Sequence, residues 1–326
     1  MRAIRLHAFG PAENLQYEKV DDPTPGPGQA RIAVRVAGVH FIDTKIRSGM
    51  NEGSLARPDL PTIPGREVAG VIDALGEGAD EALLGKRVAA HLGPASGGYA
   101  ELAVCDAAAV QLLPDGLADD TAVAMIGTGR TTIAILEVAQ LTSADVVLVT
   151  AAAGGIGTLL VQAARNIGAT VVGAAAGAAK VERVRALGAS HAVDYTQPDW
   201  SEAVRNALGE QNITVAFDGV GGALGRGALE LLGPGGRLIL FGWASGDPTP
   251  LTIMDIYARS LTVSAAVGAR IVQRRGGLRG LEDDALAAAA SGRLVPVVQR
   301  FALADAAAAH EAIEARTTIG KTVLIP

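Results

Sequence analysis

Six apolar runs begin near Val146, Thr170, Ala192, Thr214, Arg237 and Leu261, separated by 24, 22, 22, 23 and 24 residues. One strand, one helix and two short turns fill that length, so the spacing predicts consecutive βα units feeding a parallel sheet. Helix-like segments lie between the runs at Thr158–Asn166, Ala179–Leu187, Trp200–Leu208 and Leu224–Leu232. Six such strands imply an α/β, doubly wound sheet whose ligand crevice opens where the strand order reverses.

The first of these units carries the chemistry. Val146–Thr150 runs into Ala151-Ala152-Ala153-Gly154-Gly155-Ile156-Gly157, and a helix follows. At the spacing of a G-x-G-x-x-G fingerprint the positions are Ala152, Gly154 and Gly157, with alanine in the first slot. Small residues let backbone N–H groups approach a pyrophosphate, and the helix N-terminus adds partial positive charge. The stretch Val146–Ala164 has no charge over 19 residues, the length of a membrane span. Thr150, the glycines and Gln162 instead favour a strand, a turn and a buried helix. The second strand ends near Gly173, where an NAD site carries an acid for the ribose hydroxyls. Here the chain reads Gly173-Ala174-Ala175-Ala176-Gly177-Ala178-Ala179-Lys180, with no acid before Glu182. Nothing there repels a 2′-phosphate and Lys180 offers a cation, so NADPH is expected over NADH.

Before about residue 118 the pattern is different. Short β-like runs at Arg2–His7, Gln16–Val20, Arg31–Val39, Glu67–Ala74, Arg87–Ala90 and Tyr99–Val104 are broken by Gly and Pro, which reads as a mostly β, barrel-like domain. The last segment alternates again: helix Leu281–Ser291, strand Val295–Ala302, helix Ala304–Ala315, strand Thr322–Ile325. It is expected to return to the first domain. The domains are therefore expected at 1–118 with 266–326, and at 119–265. A net charge of −6 argues against a nucleic-acid surface, which needs clustered positive charge. The basic cluster Arg270, Arg274, Arg275 and Arg279 reads as a solvated loop. Cys105 is the single cysteine, excluding an intrachain disulfide and fitting a reduced cytoplasmic protein. The first residues lack an apolar core typical of a signal peptide.

The run Gly154-Gly155-Ile156-Gly157-(x4)-Gln162-(x2)-Arg165 resembles the signature of ζ-crystallin-like quinone oxidoreductases, the zinc-independent branch of the medium-chain dehydrogenase/reductase superfamily. Gly38–Gly49, Pro64-Gly65-Arg66-Glu67, Gly85-Lys86-Arg87-Val88, Gly97–Glu101 and Gly320–Leu324 are similar to its other markers. The resemblance covers nearly the whole chain and implies a GroES-like domain plus a Rossmann domain. It also implies cofactor contacts from Phe41, Asp43, Thr44, Thr131, Gly154, Gly155, Ile156, Gly157, Gly173, Lys180, Tyr195, Val220, Phe241, Gly242 and Lys321. His40, Lys45, Arg130 and Trp243 depart from the family's usual residues and are expected on the substrate side.

In the zinc alcohol dehydrogenases of this superfamily three protein side chains hold a catalytic metal. The first slot here is His40, the second is the permanent cation Arg66, and Met125–Thr128 offers no good third ligand. A metal-free enzyme is expected. Without a Lewis acid the acceptor must carry its own activation, which points to a quinone or another conjugated carbonyl. The alternatives are an enoyl reductase acting on a polyketide or acyl thioester, and a crystallin-like binding protein without turnover. The apolar edge run Leu261–Val267 predicts a homodimer joined there.

Overall fold

The computed structural model describes residues 1–50, 57–93, 96–268 and 276–326. Two compact units emerge: Met1–Thr128 with Ala285–Ala290 and Pro296–Pro326, and Gly129–Asp284 with Ser291–Val295.

The first unit opens with an antiparallel ribbon, β1 (Arg2–Leu6) and β2 (Leu15–Lys19). There follow β3 (Gln29–Val39), helix α1 (Phe41–Arg47), β4 (Glu67–Leu75), β5 (Arg87–His91), β6 (Leu102–Asp106), β7 (Val110–Leu112) and α2 (Asp119–Ala124). Residues of β3 alternate between the core and the surface along its first half, as a strand with one buried face should. β3 pairs antiparallel with β4 and also with β6, and its register with β4 shifts at Arg31/Ile32 and Val34/Val36. Such shifts bend and twist a strand, which curls the sheet. At the second shift Gly70 is required: a Cβ there would lie 2.0 Å from the Ala33 carbonyl oxygen. The core gathers Ile4, Leu6, Ile32, Val68, Ile72, Val88 and Tyr99.

The second unit runs α3 (Arg130–Ala139), β8 (Val146–Val149), α4 (Gly155–Ile167), β9 (Thr170–Ala175), α5 (Ala178–Ala186), β10 (His191–Asp194), α6 (Trp200–Leu208), β11 (Ile213–Asp218), α7 (Gly222–Glu230), β12 (Leu232–Leu240), α8 (Ile253–Arg259) and β13 (Thr262–Ala265). Every strand pair is parallel, in the order β10-β9-β8-β11-β12-β13. The order reverses between β8 and β11, so the crevice of a doubly wound sheet lies at their C-terminal ends. Val146–Ala164 is the whole of β8, a tight turn and most of α4.

Helix α9 (Gly277–Ala290) follows, and then β14 (Val298–Ala302), α10 (Ala306–Glu314) and β15 (Lys321–Ile325) complete the first unit. Its sheet order is β14-β15-β3-β4-β5-β7. The boundaries differ from those expected at 118 and 266. Residues 119–128 group with the first unit because α2 packs on β3, β4 and β5. Residues 266–284 and 291–295 group with the second. Gln162 explains the latter: its amide donates to the Val295 carbonyl at 2.9 Å and accepts from the Val295 N–H at 2.9 Å.

Candidate active site

At the end of β8 the chain is folded tightly. Ala151 has a φ of +47°, and the Gly154 N–H donates back to its carbonyl at 2.9 Å. Gly154 caps α4 in an extended conformation with no side-chain cap, so the first N–H groups of α4, from Gly155, Ile156 and Gly157, lack intrahelical partners and favour an anion. Gly157 closes the turn, since a Cβ there would meet the Ala151 oxygen at 2.3 Å and the Ala152 Cα at 2.8 Å. This backbone cradle fits a dinucleotide pyrophosphate. Ala152, the departure in the first slot, is fully buried and its N–H bonds the Ala174 carbonyl. Gly173 has a packing role: a Cβ there would lie 2.2 Å from Val184 Cγ1 and 3.2 Å from Ala152 Cβ.

β9 ends without a carboxylate. The cap of α5, Gly177, has a φ of +80° and donates to Asp194 Oδ1 at 3.0 Å. Asp194, which sequence reasoning missed, also accepts from the Thr196 N–H and hydroxyl. These donors, the Gly177 N–H foremost, hold its carboxyl at about 2. Lys180 in α5 and Tyr195 after β10 are half-buried near this turn.

The switch point is organised by Asp218, also unforeseen. It is completely buried at the end of β11 and accepts from the hydroxyls of Thr150 and Thr249 and from the N–H groups of Val220 and Gly221. Its own carbonyl takes the Phe241 N–H at 2.9 Å, and the Phe241 ring lies where a Gly219 Cβ would sit. Val220, Phe241 and Gly242 are thereby brought to one place. Trp243 beyond them is 52% exposed. Arg130 of α3 instead donates to Glu282 Oε1 at 2.7 Å in a largely buried ion pair, and Thr131 follows it on the same helix.

In the first unit α1 begins at His40, whose N–H donates to Asp43 Oδ2 at 2.8 Å. Asp43 and Thr44 are 4% and 0% exposed. The Thr44 hydroxyl is spent on the Phe41 carbonyl, and Asp43 faces the Tyr99 hydroxyl at 3.2 Å and Arg66 Nε at 3.4 Å. Both residues, expected on the cofactor, are turned into their own unit. Phe41 carries Lys45 and Arg316 over its ring, at 5.2 and 4.5 Å. Lys321, also expected on the cofactor, is buried and donates to Glu67 Oε2 at 2.9 Å. Burial pushes the Glu67 carboxyl up, but the neighbouring His40 and Lys321 charges outweigh it and hold the group well below the usual range. Glu67 fits only because two neighbours are glycines: a Cβ at Gly127 or Gly38 would lie 1.4 or 2.6 Å from its oxygens. Behind it Tyr99 contacts His310 Nε2 at 3.1 Å. Burial lowers His310 to about 4.

The zinc donor set does not fit. Arg66 occupies the second ligand slot and is directed at Asp43, while His40 Nε2 is taken up by Glu67 and Lys321 together. Among the described residues no cluster of three or more His, Cys, Asp or Glu has metal-holding geometry. Of the basic cluster, Arg270, Arg274 and Arg275 lie outside the described residues, and Arg279 sits on α9.

A GroES-like sheet unit, a parallel dinucleotide unit and a pyrophosphate cradle at the first βα turn define a pyridine-nucleotide oxidoreductase of the medium-chain class. Residues 26–115 match the alcohol dehydrogenase GroES-like domain and residues 155–278 the zinc-binding dehydrogenase family. The chain is 32% identical to a quinone oxidoreductase of Pseudomonas aeruginosa, covering 100% of this chain and 99% of that one. It is also 32% identical to a 2-haloacrylate reductase from a Burkholderia species, covering 99% and 98%. The Escherichia coli quinone oxidoreductase crystallised with NADPH superposes over 100% of both chains, with a TM-score of 0.88 at 28% identity. The chain belongs to the quinone oxidoreductase family of the medium-chain dehydrogenase/reductase superfamily.

Proposed function

We propose that this enzyme, an NADPH-dependent quinone oxidoreductase, passes hydride to a quinone or another conjugated carbonyl without zinc. NADPH supplies the hydride. The α4 N-terminus, Val220, Phe241 and Gly242 would hold the dinucleotide, and Lys180 and Tyr195 its 2′-phosphate. The observation carrying the zinc-free reading is Arg66: a guanidinium directed at Asp43 fills a slot where a metal needs a ligand. Alcohol oxidation in the zinc relatives depends on a metal-held alkoxide. A conjugated acceptor spreads the arriving charge itself and needs only a nearby donor or cation. A 1,4-benzoquinone, a naphthoquinone, an α,β-unsaturated ketone and a secondary alcohol should be compared with both cofactors. Turnover is expected with NADPH and the conjugated acceptors. Alcohol dehydrogenation by metal-free protein, with silence on every conjugated acceptor, would defeat the reading. The 2-haloacrylate reductase relative favours a second reading, in which the reduced bond is the C=C of a conjugated acid or thioester.

The functional unit is proposed to be a homodimer. β13 is an edge strand, and Ile253, Met254 and Tyr257 on α8 are 60%, 64% and 70% exposed. An open edge beside exposed apolar side chains favours a second copy. A monomeric mass by light scattering at micromolar concentration would remove this. A reduced cytoplasmic setting suits Cys105, whose buried thiol is pushed up to about 11 and is inert.

A further inference from the structure

An acid is missing at the end of β9, but one stands at the end of the strand beside it. Asp194 is the last residue of β10 and pairs in parallel register with Ala175, the last residue of β9. The Tyr195 N–H that follows donates to the Ala175 carbonyl at 3.1 Å, so the two strands stay bonded through their final residues. In a doubly wound fold the 2′ substituent of the adenosine ribose lies at the end of the second strand, here β9.

Hydrogen bonds from the Gly177 N–H at 3.0 Å, the Thr196 N–H at 3.0 Å and the Thr196 hydroxyl at 2.7 Å all end on Asp194 Oδ1. The Gly177 N–H is thereby spent on the protein and is not offered to a ligand. The same donors hold the carboxyl at about 2, so it carries its full charge at neutral pH. A Cβ at Gly177 would meet nothing within 4 Å, and its φ is +80°. The shape of this turn therefore rests on its backbone and on Asp194, not on close packing.

An acid on the second strand of an NAD site reaches the ribose hydroxyls directly. Here the acid comes from β10 and is anchored through one oxygen, which leaves the other for a hydroxyl donor. A 2′-hydroxyl can donate to it. A 2′-phosphate brings acceptor oxygens and a charge of about −1.5 to −2, and is repelled.

We propose that Asp194 limits the selectivity of this enzyme for NADPH: its carboxylate opposes the 2′-phosphate that Lys180 attracts, and accepts the 2′-hydroxyl of NADH. This rests on the assignment of Lys180 and Tyr195 to the 2′-phosphate made above. Cofactor preference is then a balance between a cation on α5 and an anion on β10, and each can be changed without the other.

Asp194→Asn keeps an acceptor oxygen for Gly177 and Thr196 and removes the charge. Dissociation constants from fluorescence titration at low ionic strength should then diverge, with NADPH tighter by about two- to fivefold and NADH no tighter. The gain should shrink as salt is raised, because charges near solvent are screened. A merely structural change would not follow salt in that way. Asp194→Ala removes the acceptor as well as the charge, so both cofactors should weaken while their ratio still moves toward NADPH. An unaltered ratio in Asp194→Asn, or one moved toward NADH, would overturn the proposal. Lys180→Ala separates this from the assignment it rests on. Selective NADPH loss in Lys180→Ala, with an unaltered ratio in Asp194→Asn, overturns the role of Asp194 alone. Equal losses of both cofactors in Lys180→Ala overturn the phosphate assignment, and the role of Asp194 with it.

Discussion

The two units build polar sites by opposite means. At the β8–α4 turn of the second unit the polar groups are backbone N–H donors, and the side chains matter by being small. Around Glu67 in the first unit the polar groups are ionisable side chains from strands far apart in sequence, and glycines matter by making room for them. A backbone site loses function when something is added. A buried side-chain site loses stability when something is removed, because the remaining charge has no partner.

The largest expected effect follows from that contrast. Lys321→Met leaves Glu67 buried beside His40 without its ammonium and should destabilise the protein by about 3–5 kcal/mol in urea unfolding. The double variant Lys321→Met, Glu67→Met should recover most of this, since a matched apolar pair carries no stranded charge. Recovery of nothing would mean that packing, not charge, fixes the cluster.

Gly157→Leu is the reciprocal test. Its side chain must displace the Ala151 carbonyl and the Ala152 backbone, at a cost of about 1–3 kcal/mol. NADPH binding should be lost while the first unit's stability stays as it is. Retained NADPH affinity would place the pyrophosphate elsewhere.

Acid should separate the two regions as well. Burial lowers the folded His310 imidazole to about 4 from its ordinary 6.5, so the unfolded chain binds more protons between those values. Its contribution is complete above pH 6.5 and falls as the pH drops toward 4, by about 3 kcal/mol. Urea midpoints at pH 7, 5.5 and 4.5 should decline, and His310→Gln should flatten the decline. Glu67, whose folded carboxyl lies below the ordinary value of 4.5, adds its own loss as the pH falls through about 4.5 and below, overlapping the acid end of this window.

Lys180→Ala is the smallest and most selective change. A hydrogen bond to a charged group contributes about 1.5–3 kcal/mol, so NADPH affinity should weaken about 10- to 150-fold. NADH affinity should hardly change. Equal losses would assign Lys180 to the fold.

What could be read in the sequence follows the same division. Period and small residues are local, so the βα spacing located the strands of the second unit, and the helix expected at Trp200–Leu208 has those bounds. The Ala-x-Gly-x-x-Gly turn needed only six consecutive residues. Side-chain clusters have no such period. Glu67 was visible only within a family marker, and nothing local tied it to His40 or to Lys321, 254 residues away. Its signal was an acid opening the apolar strand Val68-Ala69-Gly70-Val71. Asp218 had a similar one, an acid ending Val215-Ala216-Phe217 before a glycine-rich turn. The burial of Asp43 and Thr44 was not legible because a helix of seven residues shows only two turns, too few to tell its buried face from its exposed one.

The position of β15 sets an order of events during synthesis. It lies between β14 and β3, and it carries the lysine that neutralises Glu67. When β3 and β4 leave the ribosome their neighbour does not yet exist, and the entire parallel sheet must be translated before it does. The growing chain thus holds a strand with one unpaired edge and an acid without its counter-ion, while the nucleotide unit is free to fold first. Arrest of synthesis just short of Lys321 should give a protease-resistant second unit attached to a digestible first one.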